Sequence, residues 1–178
     1  MGGDRAYVVL TAVGPDHPGL VNALSSLIEE AGANIEDSRM AILGGEFAMI
    51  LLVSGPSDVV ERTTQLGERA ERELELRCIV KETSPAGPPS DYLPYRIEVD
   101  GADRPGIVHA IAAILAGRGI NVASLETRLS HAPFSATPMF VLQASLQVPS
   151  KTVLSELRGE LTAACEEENL DFRLEPGP

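Results

Sequence analysis

A chain of 178 residues, 44% hydrophobic and 22% charged with a mean hydropathy of +0.05, has ordinary globular composition and room for one or two small domains, which excludes disordered, collagen-like and coiled-coil classes. A net charge of −12 repels phosphate and no basic patch offsets it, while three Tyr, four Phe and no Trp leave little for base stacking, so direct nucleic-acid binding is not expected. The apolar runs, such as Phe47 to Val53, are strand-sized and far short of the roughly 20 residues of a membrane span; with no signal-peptide pattern and two distant cysteines, Cys78 and Cys165, outside any CxxC, disulfide or metal pattern, a reducing cytoplasm is the expected compartment.

In chain order, Tyr7 to Val13 reads as a strand. Leu20, Val21, Leu24, Leu27, Ile28 and Ala31 then recur at helical spacing, predicting an amphipathic helix that starts at Pro18-Gly19, with the proline in the first helical position. Asn34 to Leu43, Gly44-Gly45 and Glu46 to Ser54 predict a hairpin closed by paired glycines. A second helix carries Val59, Thr63, Leu66, Ala70 and Leu74 on one face, and Leu76 to Lys81 closes the set as a strand. Ser84 to Pro94, with four prolines and Gly87, reads as a stiff exposed linker.

The order then repeats. Asp16-His17-Pro18-Gly19-Leu20-Val21 reappears 87 residues later as Asp103-Arg104-Pro105-Gly106-Ile107-Val108, and Gly32, Asn34 and Ile35 meet Gly119, Asn121 and Val122. Around these lie a strand at Tyr95 to Val99, a loop at His131 to Pro138 in place of the tight turn, a helix with Val153, Leu154, Leu157, Leu161, Ala164 and Cys165 on one face, and a strand at Asp171 to Leu174. Strand, helix, strand, strand, helix, strand is the split βαβ arrangement. The expected fold is therefore α+β: two ferredoxin-like domains in tandem, residues 1–83 and 94–178 joined by a linker at 84–93, each an antiparallel sheet with helices on one face.

The duplicated loop carries the candidate chemistry. At Gly19 and Gly106 the first helical amides lack partners and the helix dipole is positive, so a ligand carboxylate could approach bare backbone. Asp16 and Asp103 could cap the helix or accept from an ammonium group, and Asn34 and Asn121 can donate and accept at once, as a small zwitterion requires. The competing reading is plain helix punctuation: an acidic cap, proline and glycine at the start, and Gly-x-Asn as the stop. Loop tips His17 and Arg104 are also within reach of a ligand.

The paired motifs Asp16-His17-Pro18-Gly19 with Gly32-Ala33-Asn34-Ile35, and Asp103-Arg104-Pro105-Gly106 with Gly119-Ile120-Asn121-Val122, resemble the signature of ACT domains, regulatory modules that commonly bind amino acids. The resemblance spans nearly the whole chain. It implies ligand contacts at Asp16, Asn34, Asp103 and Asn121, within candidate sites formed by Asp16, His17, Pro18, Gly19, Leu20 and Val21 and by Asp103, Arg104, Pro105, Gly106, Ile107 and Val108. Asp stands where amino-acid-binding members often carry Asn. The tandem pair, with the loop Ala132 to Phe140, further resembles members that act by holding a DNA-binding activator. A small amino acid, glycine among them, is thus the implied ligand, and a regulator protein the implied partner. ACT modules usually regulate an attached enzyme; here the two copies and linker occupy nearly all 178 residues, so the regulated activity is expected in another chain.

Neither a cofactor nor a metal is expected. His17, His109 and His131 have no Cys or Ser motif beside them, and a helix N-terminus makes Asp16 and Asp103 poor general acids, so catalysis is the weaker reading. A ligand-free interaction module is the other alternative. The runs Glu68 to Glu73 and Glu166-Glu167-Glu168 read first as solvated faces, the second also as a dock for a basic partner. Since each sheet leaves one face and two edges uncovered, the two copies are expected to pack together or to pair between chains as a homo-oligomer, with each loop facing a neighbouring module as the resemblance implies.

Overall fold

The computed structural model describes residues 5–84, 87, 91–131 and 138–177, the last loop residue His131 by its backbone. Contacts divide the chain into two units, Met1–Gly87 and Pro88–Pro178. The linker residues 85, 86 and 88–90, and the loop at 132–137, lie outside the described residues.

The first unit runs β1 (Ala6–Pro15), α1 (Leu20–Glu30), β2 (Asn34–Leu43), β3 (Glu46–Gly55), α2 (Val59–Leu74) and β4 (Arg77–Thr83). Its sheet has the order β2-β3-β1-β4, antiparallel throughout. The second unit repeats this as β5 (Tyr92–Ala102), α3 (Ile107–Gly117), β6 (Asn121–His131), β7 (Pro138–Pro149), α4 (Leu154–Glu168) and β8 (Leu170–Pro176), with order β6-β7-β5-β8. Two ferredoxin-like domains in tandem are what the repeat leads one to expect.

Alternation sends Val8, Leu10 and Ala12 of β1 and Phe47, Met49, Leu51 and Val53 of β3 to one face, where they meet Leu20, Leu24, Leu27 and Ile28 of α1 and Val59, Leu66 and Ala70 of α2. Ile97, Val99, Leu142, Leu146, Ile111, Leu115, Leu157 and Leu161 form the second core. Thr63, placed on the apolar face by periodicity, is fully buried, and its Oγ1 has no partner among the described residues. Val153 departs from its expected face: it precedes α4 with extended backbone and is 51% exposed.

The glycine punctuation is specific. Gly44 and Gly45 have φ of 63° and 86°, joining Leu43 to its partner Glu46 in a two-residue turn. Gly32 and Gly119 end α1 and α3 in Schellman motifs: Ala33 N–H donates to Ile28 and Gly32 N–H to Glu29, as Ile120 does to Leu115 and Gly119 to Ala116. Helices α2 and α4 end instead on non-glycine residues with positive φ, Glu75 at 55° and Asn169 at 52°. A Cβ on Gly14 would lie 2.6 Å from the Glu75 carbonyl oxygen, and one on the equivalent Gly101 would lie 3.0 Å from that of Asn169. Arginines tie each helix pair: Arg69 to Glu30 at 2.6 Å in the first unit, Arg118 to Glu160 at 2.7 Å and to Glu156 at 3.2 Å in the second.

Candidate functional site

Between β1 and α1 the chain turns through Asp16-His17-Pro18-Gly19. Gly19, not Pro18, is the residue at the helix boundary: its φ of 97° is open to glycine and costly for other residues, and its carbonyl accepts from Ala23 N–H at 2.9 Å. Pro18 therefore lies outside the helix, correcting the expectation of a proline in the first turn. Gly106, with φ of 101° and its carbonyl on Ala110 N–H at 2.9 Å, repeats this geometry, and Pro105 likewise precedes it. Among the described residues, nothing lies within 4 Å of the space that a side chain would occupy at either glycine.

No side chain caps either helix, so Asp16 and Asp103 do not act as caps. Their main chains pin the loops instead: Asp16 N–H donates to Gly45 at 2.9 Å, and Asp103 N–H to Pro138 at 3.1 Å. The first-turn amides of α1 and α3 are left facing outward with the positive end of each dipole. Leu20 and Ile107 put their side chains into the cores, at 2% and 4% exposure, and can offer a ligand only backbone, whereas Val21 and Val108 are exposed. His17 Nδ1 lies 3.2 Å from the Pro18 carbonyl, and Arg104 reaches Glu168 at 3.6 Å. Met40, Ile42 and Phe47 complete an open groove of about 680 Å³ over the first loop, Asp16 to Val21.

Asn34 and Asn121 are elsewhere. Each opens its strand beyond the far end of the helix, which at eleven residues is about 16 Å long. Along the sheet, the first loop follows Pro15, which pairs with Glu46, while Asn34 pairs with Ser54 at the other end of β3. A single unit thus keeps its loop and its asparagine apart.

Two family models, each described as an ACT domain, match residues 6–78 and 95–161. The chain belongs to the ACT-domain family. It is 30% identical over 163 residues to the glycine cleavage system transcriptional repressor of Escherichia coli K12, covering 92% of this chain and 86% of that one. A crystal structure of a protein of unknown function from Galdieria sulphuraria matches 98% of this chain and 100% of its own at 30% identity, with a TM-score of 0.83. Another, of a candidate glycine cleavage system transcriptional repressor, matches 97% of this chain and 98% of its own at 29% identity and a TM-score of 0.73. Among the described residues no helix is long and apolar enough to cross a membrane.

Around the asparagines the two ACT units differ, through a residue that sequence reading passed over. Register slips between Ile35 and Asp37, so Glu36 sits in a β-bulge, and its Oε1 accepts from Asn34 Nδ2 at 3.0 Å, Ser54 Oγ at 2.5 Å and Arg5 Nη2 at 2.8 Å. The Ser54 hydroxyl, then the Asn34 amide, hold the Glu36 carboxyl below its usual range. The second ACT unit has the same slip between Val122 and Ser124, but Ala123 fills the bulge and Asn121 Nδ2 donates straight across to Gln147 Oε1 at 2.7 Å. Nothing in the pattern of alternate residues marks a bulge; the departure of Glu36 from Ala123 in otherwise aligned repeats was the signal available.

Proposed function

We propose that this ACT-domain protein is a non-catalytic cytoplasmic regulator that senses a small amino acid at the loops Asp16 to Val21 and Asp103 to Val108 and passes the bound state to a partner protein. One observation carries the reading: each copy presents an uncapped helix N-terminus behind a positive-φ glycine with open space above it, which suits a carboxylate. Asp16 and Asp103 supply negative charge for an ammonium group, and the apolar wall of Met40, Ile42 and Val21 suits a compact aliphatic portion. Since Asn34 and Asn121 lie a helix length from the loop of their own unit, a site that joins both kinds of residue needs the asparagine of a neighbouring module, in this chain or in a second copy. Similarity to the E. coli repressor supports action through a partner regulator, and the charge of −12 disfavours direct DNA contact.

The test is thermal unfolding of the full chain with each common amino acid, glycine included, at several millimolar. A ligand at 100 times its Kd adds about 2.7 kcal/mol to the native state, a rise of several degrees. A selective rise that Gly19→Val and Gly106→Val abolish supports the sensor; a flat panel leaves the second reading, a ligand-free interaction module, which the exposed Ile50 and Ile79 on the helix-free face of the first sheet favour.

A further inference from the structure

The two units share a β-bulge and fill it differently. In the first, the bulged Glu36 offers a carboxylate that accepts from the Asn34 amide at 3.0 Å, the Ser54 hydroxyl at 2.5 Å and the Arg5 guanidinium at 2.8 Å. Amide, hydroxyl and guanidinium all donate, so the chain has built a carboxylate cradle here and closed it with a side chain of its own. In the second unit Ala123 stands at the bulge and brings no carboxylate. The strands beside it change in step. On the helix-free face of the first sheet, register sets Asp37, Leu52, Val9 and Lys81 in one row across β2, β3, β1 and β4; the matching row of the second is Ser124, Ser145, Arg96 and Glu175. Ala123 and Ser145 are short where Glu36 and Leu52 are long, and a concavity of about 420 Å³, ample for a small molecule, opens beside them.

We propose that this concavity binds a small carboxylate, which takes in the second unit the place that the Glu36 carboxyl takes in the first. The donors of the cradle are present in new form. Arg96 lines the concavity and supplies the guanidinium. Its Nη2 donates to Gln143 Oε1 at 3.0 Å, and Gln143 is anchored in turn on Glu98 at 3.0 Å, which holds the fork in place with further N–H groups to offer. Ser124 and Ser145 supply hydroxyls. Gln147, at the position of Ser54, accepts from Asn121 Nδ2 through its Oε1 at 2.7 Å, so Nε2 is the atom it can turn to an anion. The acidic member of the lining, Glu126, is offset by Arg128 at 3.3 Å. One cation, two hydroxyls and an amide suit the single charge and planar fork of a carboxylate better than a phosphate dianion. The site sits at the Asn121 end of β7, whereas the loop from Asp103 follows the other end, so it neither needs nor excludes a ligand at the loops.

Propionate reproduces the Glu side chain from Cβ outward and is the probe. In amide proton–nitrogen NMR spectra of the full chain at neutral pH, it is expected to shift the Ser124, Ser145 and Gln147 resonances saturably, the Gln147 side-chain amide included, with a Kd of about 1–10 mM. Propionamide, of the same size without the charge, and inorganic phosphate are expected to leave them in place. Ala123→Glu installs the first unit's own occupant and abolishes the response; Ser145→Leu, which copies Leu52, abolishes it by filling the space; Arg96→Gln weakens it about tenfold. Unchanged circular dichroism reports the fold of each variant. Glu36→Ala provides the reciprocal readout, opening in the first unit a cradle where propionate newly shifts Asn34 and Ser54. No saturable response in the native chain up to about 50 mM, an equal response to propionamide or phosphate, or a response that survives both Ala123→Glu and Ser145→Leu overturns the proposal.

Discussion

Gly19→Ala and Gly106→Ala test the conformation on which the candidate site depends. Neither methyl group meets an atom of the described residues within 4 Å, so the expected effect is torsional. Holding an L-residue at φ near 97° or 101° costs about 1–2 kcal/mol, while alanine stiffens the unfolded chain and returns about 0.4–1 kcal/mol, for a net loss of about 1 kcal/mol at each position. For a domain of 60–100 residues that lowers the midpoint by about 4–8 °C. Calorimetry of each variant, with urea titration as a second readout, measures it. The sign is decisive: a Gly→Ala change at a helix start with ordinary negative φ stabilises, so a rise in midpoint for either variant refutes the left-handed loop and removes the reason for glycine there.

Leu24→Ala and Leu157→Ala, both at fully buried positions, are each expected to cost about 2–5 kcal/mol by urea titration, and a cost under 1 kcal/mol would contradict the assigned cores. Glu36, Asp37 and Glu160 have carboxyls held below their ordinary values, Glu36 mainly by Ser54, Asp37 mainly by Arg39 and Glu160 mainly by Arg118. Such groups stabilise the folded state fully above the unfolded-chain value, near 4.5 for Glu, and lose that contribution as pH falls through the folded value; urea titrations from pH 7 to pH 3 should show the decline, made shallower by Glu36→Gln. Burial, then Glu71, pushes the half-buried Cys78 thiol up to about 11, so Ellman's reagent at pH 8 should react far more slowly than with a free thiol unless the protein is unfolded. Glu75→Gly relieves a positive φ at the end of α2 and should leave stability unchanged or raise it by up to about 1 kcal/mol, whereas Gly14→Ala, pressed 2.6 Å from a backbone oxygen, should lower it.

The duplicated chain made its own architecture readable: two periods of 3.6 alternating with strand periods, aligned copy on copy, leave little choice of topology, and Gly44-Gly45 names its turn. Element ends were less legible, because hydrogen bonding extends strands past their apolar centres; β1 reaches Ala6 and Pro15, and β5 begins at Tyr92 rather than Tyr95. The loops were misread in a specific way. Proline before glycine looks like a helix start, but a proline outside the helix and a glycine at positive φ leave the same letters, and only the backbone distinguishes them. That Asn34 and Asn121 open the strands beyond the helices was legible from the spacing of the motif; the distance between loop and asparagine within one unit became explicit only in the strand register. The contrast between the outer faces was present in the letters all along, since Val9, Ile50 and Leu52 answer to Arg96, Gln143 and Ser145, yet it becomes a statement about surfaces only once register places those residues side by side.

Gly14 stands two residues before Asp16, at the end of the strand that delivers the loop, and the Glu75 carbonyl at the end of α2 fills the space that a side chain there would take. Gly101 does the same before Asp103, against the end of α4. Glycine is what lets the strand carrying each loop lie this near the end of the second helix. A side chain at either position would push the end of the second helix, and with it the start of β4 or β8, away from the strand that carries the loop.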